Sequence, residues 1–285
     1  MSGDSYRLEM PRNWAGGVVF ASPHSGAFYP PDLLANTVLD KKTLRSSEDA
    51  FVDQLFAKAP QMGAPLLVAN YPRAYVDLNR GCDELDPALI DGIARKSINP
   101  RVASGLGVIP RVVANGRAIY RGKLTCSDAE ARLRHVWQPY HAELTQLLRK
   151  ARAIFGEALL IDCHSMPHEA IDNAAVGRKC PEIVLGDRFG ASADADLVEV
   201  VEAALAASGL TVARNAPFAG AYTAQSYGRP SHGQHVIQIE IDRALYMDER
   251  KIAMRSDFAQ LQLALTRMMA EVITYLQGRS KVAAQ

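Results

Sequence analysis

His24 and His164 are the residues in this 285-residue chain whose type and placement first suggest chemistry. His24 follows the apolar stretch VVFASP and His164 follows ALLIDC. Each therefore stands at or just beyond the carboxyl end of an apolar strand, where α/β enzymes place their sites. Small or turn-forming residues follow both, as His24-Ser25-Gly26 and His164-Ser165-Met166-Pro167, and leave room for a ligand. Neutral imidazole is a preferred nitrogen donor for zinc, so the pair reads as two ligands of one ion. The competing reading is one loop histidine and one hydrogen-bonded core histidine. A catalytic zinc commonly takes three protein ligands and keeps a position for water. The third falls among Asp49, Glu48 and Asp53, at the start of a helix expected from Ser47 to Ala59. Asp49 and Asp53 share a face there at i and i+4, and Glu48 points elsewhere. The plainer role for these acids is to complement the helix dipole.

A second group of residues suits proton transfer and anion recognition. Glu240 lies in the alternating stretch QHVIQIEI, on the face it shares with Gln238 and opposite Ile239 and Ile241. A carboxylate on such a strand needs a partner or a task. It reads as a general base acting on water, or as the partner of Arg243. In YPRAYVDLNR, Asn79 and Arg80 follow an apolar stretch, and Arg73 lies six residues before Asn79. A guanidinium fork suits a carboxylate, and asparagine adds a directional donor and acceptor. Ion pairing with Asp77 or Asp83 competes with that reading, more for Arg73 than for Arg80. His135 and His141 do not share a helix face and read as structural. His168, His232 and His235 sit in or near polar turns, and nothing in the sequence selects one of them. Cys163 and His164 are adjacent on a strand, so they point to opposite faces and do not form a nucleophile pair. No GxSxG elbow is present, and GDRFG lacks phosphate-loop spacing.

The elements that must position these residues alternate between strand-like and helix-like stretches, which argues for an α/β fold. Expected strands are GVVFAS (17–22), PLLVA (65–69), AYVDL (74–78), ALLIDC (158–163), Pro181–Leu185, Leu210–Arg214 and Gln234–Ile241. Expected helices are Ser47–Ala59, Cys126–Phe155 capped by Ser127, Ser192–Ser208, and Asp248–Leu276 with a loose tail after Gly278. Asp83–Ile119 reads as a long, partly irregular excursion of the kind that is often functional. No linker composition appears, so one domain is expected over residues 1–285. The formal net charge of +1 gives no global field for nucleic acid or anionic lipid. Hydrophobic residues at 48% and charged residues at 22% describe a globular chain that buries a core. The four cysteines form no CxxC pair and read as reduced thiols. The beginning of the chain shows no secretion signal and no apolar run is long enough to span a bilayer, so a soluble cytoplasmic protein is expected.

Six segments taken together, PHSG (23–26), SSEDAFVD (46–53), YPRAYVDLNR (71–80), GRAIYRG (116–122), IDCHSMPH (161–168) and QIEIDRALYMDE (238–249), resemble the N-formylglutamate amidohydrolase family. The likeness covers nearly the whole chain in the same order. It implies a phosphorylase/hydrolase-like three-layer sandwich with a mixed central sheet flanked by helices, related to zinc carboxypeptidases and aspartoacylase. It also implies Zn2+, or another divalent transition metal, on His24 and His164, with Glu240 as base. Arg73, Asn79 and Arg80 then fall in the substrate site, joined by Tyr120 of the GRAIYRG segment. The carboxypeptidase group places its metal carboxylate three residues after the first histidine, where this chain has Ala27. Asp49 is the choice for the missing carboxylate, before Glu48 and Asp53. In the implied reaction, zinc lowers the pKa of bound water toward about 7. Glu240 takes the proton, zinc and Arg73 stabilise the oxyanion, and Glu240 returns the proton to the leaving amine. Arg80 with Asn79 binds a substrate carboxylate. For N-formyl-L-glutamate the products are formate and glutamate, a late step of histidine breakdown. Two other readings stay open: an N-acyl amino acid deacylase or carboxypeptidase-like zinc hydrolase, and a non-catalytic carboxylate-binding protein. The expected partner is a small-molecule N-acyl amino acid, with no nucleic acid and no membrane.

Overall fold

The apolar run after Glu157 extends into a nine-residue strand that is buried at every position. A strand without a polar face must be covered on both sides, which demands a central place in a layered fold. The computed structural model, which describes residues 4–94, 99–113, 116–172 and 180–283, places it there. In chain order the main strands are β1 (Tyr6–Glu9), β2 (Val18–Ser22), β3 (Leu66–Ala69), β4 (Ala158–Met166), β5 (Ile183–Gly186), β6 (Val212–Arg214) and β7 (Gln234–Asp242). They form one sheet in the order β1-β3-β2-β4-β7-β5-β6. β4 runs parallel to both β2 and β7, whereas β5 runs antiparallel to β7. This mixed sheet flanked by helices is the α/β architecture expected from the sequence.

The chain divides into two compact units. The first takes in the chain up to Arg7, Pro23–Ala50 and Val68–Glu143; the second takes in Leu8–Ser22, Phe51–Leu67 and the chain from Leu144 onward. The second unit holds β2, β4, β5, β6 and β7. Its terminal helix, Phe258–Ala283, packs on β2 and on the helix Ala195–Ala207, and the helix Tyr222–Tyr227 packs on β7. Leu265, Met268 and Met269 of the terminal helix are fully buried. The first unit has its own core, with Leu33, Leu44, Val76, Leu78, Ile109 and Ile119 buried. No described helix is long and apolar enough to cross a membrane.

Several local expectations need correction. AYVDL (74–78) is not a strand; its backbone turns, with Tyr75 N–H bonded to the Pro72 carbonyl. The Asp77 carboxylate accepts the Asn79 N–H, and such a local side-chain bond competes with a strand ladder. The helix expected over 47–59 is broken into Val52–Leu55 and Ala59–Met62. Asp40 caps an earlier short helix, Lys41–Arg45, and Phe51 takes a left-handed φ of 67° that interrupts any continuation. Glu48 and Asp49 therefore lie in a connection and not in a first helical turn. Cys126–Phe155 is helical throughout, with a π-helical turn at Leu133–Trp137. Thr125 is its cap in place of the expected Ser127, because its hydroxyl and the Asp128 carboxylate form a reciprocal capping box. The final helix begins at Phe258, after the short strands β8 (Met247–Asp248) and β9 (Ala253–Met254), and it continues past Gly278 to Ala283. The excursion Asp83–Ile119 is mostly irregular, with one short helix at Pro100–Ala103; its residues 95–98 and 114–115 lie outside the described residues, as do 1–3 at the start of the chain and 284–285 of the tail.

Gly26 shows how tightly the first unit holds the loop after His24. A Cβ at this position would stand 2.1 Å from the Tyr71 carbonyl oxygen and 2.5 Å from its carbon. The small residue admits the close approach of the Tyr71 backbone. Gly26→Ala should therefore shift the backbone and destabilise the protein by about 1–3 kcal/mol. A lowered urea midpoint at unchanged m-value is the expected result in equilibrium unfolding.

Candidate active site

His24 follows β2 by two residues and is 1% exposed. Its Nε2 lies 2.7 Å from Asp77 Oδ1 and its Nδ1 lies 3.4 Å from Asp49 Oδ2. Asp49 is fully buried, and its backbone N–H donates to the His24 carbonyl at 3.0 Å, which ties the two segments together. Asp77 is buried as well. Its Oδ1 also accepts the Asn79 N–H at 2.9 Å, and its Oδ2 accepts from Arg73 at 2.8 Å. Burial alone would raise the Asp77 carboxyl, but the charges of Arg73 and His24 hold it well below the usual carboxylate range. Asp77 thus stays ionised beside His24 Nε2, while His24 Nδ1 faces Asp49.

The other acids and the arginines divide as follows. Glu48 is occupied: both of its oxygens accept from Arg45 Nε at 3.1 Å, and the Tyr29 hydroxyl donates to Oε1. Asp53 lies in the helix Val52–Leu55. Arg73 makes the ion pair with Asp77 that the sequence offered as its plainer role. Arg80 instead donates through Nε to the Leu106 carbonyl and through Nη1 to the Asn79 carbonyl, at 3.0 and 2.9 Å. Burial lowers its pKa from the ordinary guanidinium value. The DLNR backbone is held from the long helix, where Trp137 donates to the Arg80 carbonyl at 2.9 Å and His141 bonds the Leu78 carbonyl at 3.0 Å. His141 is thus structural, as expected. Tyr120 is buried; its hydroxyl accepts from Arg132 Nη1 at 2.6 Å and lies 3.4 Å from the Ala74 carbonyl.

In the second unit, His164 lies within β4, and β4 pairs with β7 in a register that sets His164 opposite Glu240. Paired residues in neighbouring strands stand about 5 Å apart on one face. His164 Nε2 lies 3.1 Å from Asp162 Oδ2, two residues back on the same strand. Asp162 is fully buried, and neither of its oxygens has an aligned hydrogen bond among the described residues. Glu240 is 8% exposed and accepts from Gln238 Nε2 at 2.8 Å. Cys163 is buried, and burial pushes its thiol well above the ordinary value, which removes it as a thiolate nucleophile. β2 lies beside β4 with Ala21 opposite Asp162.

His24, Asp49 and His164 form a buried group whose ligand atoms all lie within 4.8 Å of one another, and which could hold a metal ion. The donor chemistry fits a divalent transition metal, with two imidazoles and one carboxylate. Two donors of a tetrahedral zinc stand about 3.3 Å apart at ordinary bond lengths, and His24 Nδ1 and Asp49 Oδ2 are 3.4 Å apart. Each histidine also has a second carboxylate at its Nε2, Asp77 for His24 and Asp162 for His164. Metal-binding histidines commonly have such partners, which orient the ring and raise its basicity. Neither contact was foreseen from the sequence. The available signal was an aspartate two residues before His164 and another two before Asn79.

Comparison with known proteins bears on the same segments. Residues 16–247 match the family model described as N-formylglutamate amidohydrolase. A protein of Pseudomonas aeruginosa called N-formylglutamate deformylase is 33% identical over 271 residues, covering 93% of this chain and 95% of that protein. One of the same name from Pseudomonas putida is 29% identical over 263 residues, covering 90% and 92%. The crystal structure of N-formylglutamate amidohydrolase from Ralstonia eutropha JMP134 is 36% identical, with a TM-score of 0.90, over 95% of this chain and 98% of that one. An amidohydrolase fold of this extent, matched almost end to end, places the chain in the N-formylglutamate amidohydrolase family.

Proposed function

We propose that this chain hydrolyses N-formyl-L-glutamate to formate and L-glutamate with a divalent metal, zinc by its donor set, on His24, Asp49 and His164. The observation that carries the reading is the buried grouping of these three donors, with Glu240 opposite His164 in the β4–β7 register. The names of the relatives support the substrate. We take both units as parts of one amidohydrolase domain over residues 1–285, because the family match runs through both. The working place of such an enzyme is the cytoplasm.

When bound, the metal supplies a Lewis acid and lowers the pKa of water at the site. The chain's own residues do the rest. Glu240, steadied by Gln238, takes the proton of the attacking water. Arg73 brings positive charge to the carbonyl oxygen as it gains negative charge, while its ion pair with Asp77 fixes its position. Arg80 and Asn79, in a segment held by the helix through Trp137 and His141, bind a substrate carboxylate, with Tyr120 as a further substrate-binding residue. Asp77 and Asp162 keep the two metal-binding rings oriented.

Glu240→Gln should retain the metal and lose turnover by roughly 10²–10⁴-fold, the usual worth of a general base. Steady-state kinetics alongside elemental analysis separates these effects, and a near-normal rate would remove Glu240 from the role. His164→Ala should lose metal stoichiometry in the same elemental assay. Asp77→Asn should weaken metal affinity by about 10–100-fold, read by competition with a chromophoric chelator. An unchanged affinity would leave Asp77 as a partner of Arg73 alone.

A further inference from the structure

His168 was one of three histidines that the sequence could not tell apart, and the strand register separates them. β4 and β7 are parallel, so both present their carboxyl ends on one side. His232 and His235 belong to the start of β7, at the opposite end. His235 is five residues before Glu240, roughly 17 Å along the strand. It is buried beside Glu157 and Asp194. His168 follows β4 by two residues, and its Nδ1 lies 2.8 Å from Oδ2 of Asp242, the last residue of β7. Asp242 pairs with Met166 just as Glu240 pairs with His164. It shares the face of Glu240 and lies about 7 Å farther along the strand.

The pair is built and not incidental. Asp242 is 5% exposed, and its other oxygen accepts the Ala244 N–H at 2.9 Å. The His168 backbone N–H donates to Glu249 Oε1 at 3.0 Å, which anchors the main chain that carries the ring. Arg243 lies 3.8 Å from Glu249 and donates to Ser165 at 3.2 Å, so it braces the same corner. The His168 side chain nevertheless remains 46% exposed. A carboxylate at Nδ1 sets the tautomer and directs Nε2 away from Asp242.

We propose that His168, oriented by Asp242, is a further catalytic residue that protonates the departing amine. The proposal rests on the deformylase reading and reassigns one proton that the sequence reading gave to Glu240. Water adds to the formyl carbon and its proton passes to Glu240. The C–N bond then breaks, its electron pair stays on nitrogen, and the proton on His168 Nε2 moves to that nitrogen. Formic acid and the amine leave, and the acid's proton passes to the amine in solution, giving formate and the ammonium form. His168 takes a proton from solvent and Glu240 releases one, so the cycle closes without another reactant. Two separately held groups suit this chemistry because the attacking oxygen and the leaving nitrogen lie on different sides of the carbon.

The test compares wild type and His168→Gln on two substrates. N-formyl-L-glutamate must expel an amine that needs a proton; p-nitrophenyl formate expels a phenolate that does not. His168→Gln should lose roughly 10²-fold or more in kcat on the amide and stay near wild type on the ester, with metal content unchanged. Asp242→Asn should show the same selective loss, smaller in size. A second readout is independent of turnover: the His168 imidazole resonance, assigned by its absence in His168→Gln, should move when L-glutamate is added. Equal losses on both substrates, an undiminished amide rate, or a resonance that stays fixed at saturating glutamate would overturn the proposal. Absence of N-formylglutamate turnover in wild type would instead overturn the deformylase reading itself.

Discussion

The unbroken parallel pairing of β4 with β7 is the constraint on which the chemistry depends. Nine residues of each strand run in register, from Ala158 opposite Gln234 to Met166 opposite Asp242. Parallel strands deliver their carboxyl ends to the same side, and the period of two decides which side chains share a face. The pairing therefore sets His164 beside Glu240. A slip of one residue would turn Glu240 to the opposite face. β2 joins the same parallel set on the other flank of β4, and the chain that continues from it carries His24. Burial of every β4 residue makes this register costly to lose, since the apolar side chains of Leu159, Leu160 and Ile161 have no other covered place.

Against this apolar frame the buried carboxylates stand out. Asp49, Asp77 and Asp162 are each 2% exposed or less. Burying an ionised carboxylate costs several kcal/mol unless charge and hydrogen bonds offset it. Asp77 is offset by Arg73, by His24 and by the Asn79 N–H. Glu48, equally buried, is offset by Arg45 and Tyr29. Asp49 and Asp162 instead adjoin the imidazoles of His24 and His164. Within the SSED segment, Glu48 has a cation in Arg45 and Asp49 adjoins His24.

The helix from Cys126 to Phe155 contributes differently. Its π-helical turn ends at Trp137, and the Trp137 and His141 rings lie 4.1 Å apart. Both hold carbonyls of the DLNR segment. A stretch without sheet or helix of its own is thereby held by two side chains of the helix.

Much of this protein was legible in its residues. Apolar runs marked β2, β3, β4 and β5, because burial on both faces leaves a plain compositional trace, and alternation marked β7. The placement of His24 and His164 after two such runs suggested a site, and the ordered motifs indicated the family. Asp49, the first choice for the carboxylate of the grouping, could not be separated from Glu48 and Asp53 by sequence alone, because the three differ in the partners that folding brings to them. Tertiary structure gave Glu48 to Arg45, left Asp53 on a short helix and tied Asp49 to the His24 carbonyl. Nor could the AYVDL pattern reveal that Asp77 would bend its own backbone and hold His24 from a distance of 53 residues. His168 looked like His232 and His235 in sequence and was distinguished only by the end of the sheet on which it lies. Local composition decides whether a segment is buried; which charged group meets which is decided by strand register and loop closure, and those exist only in the folded chain.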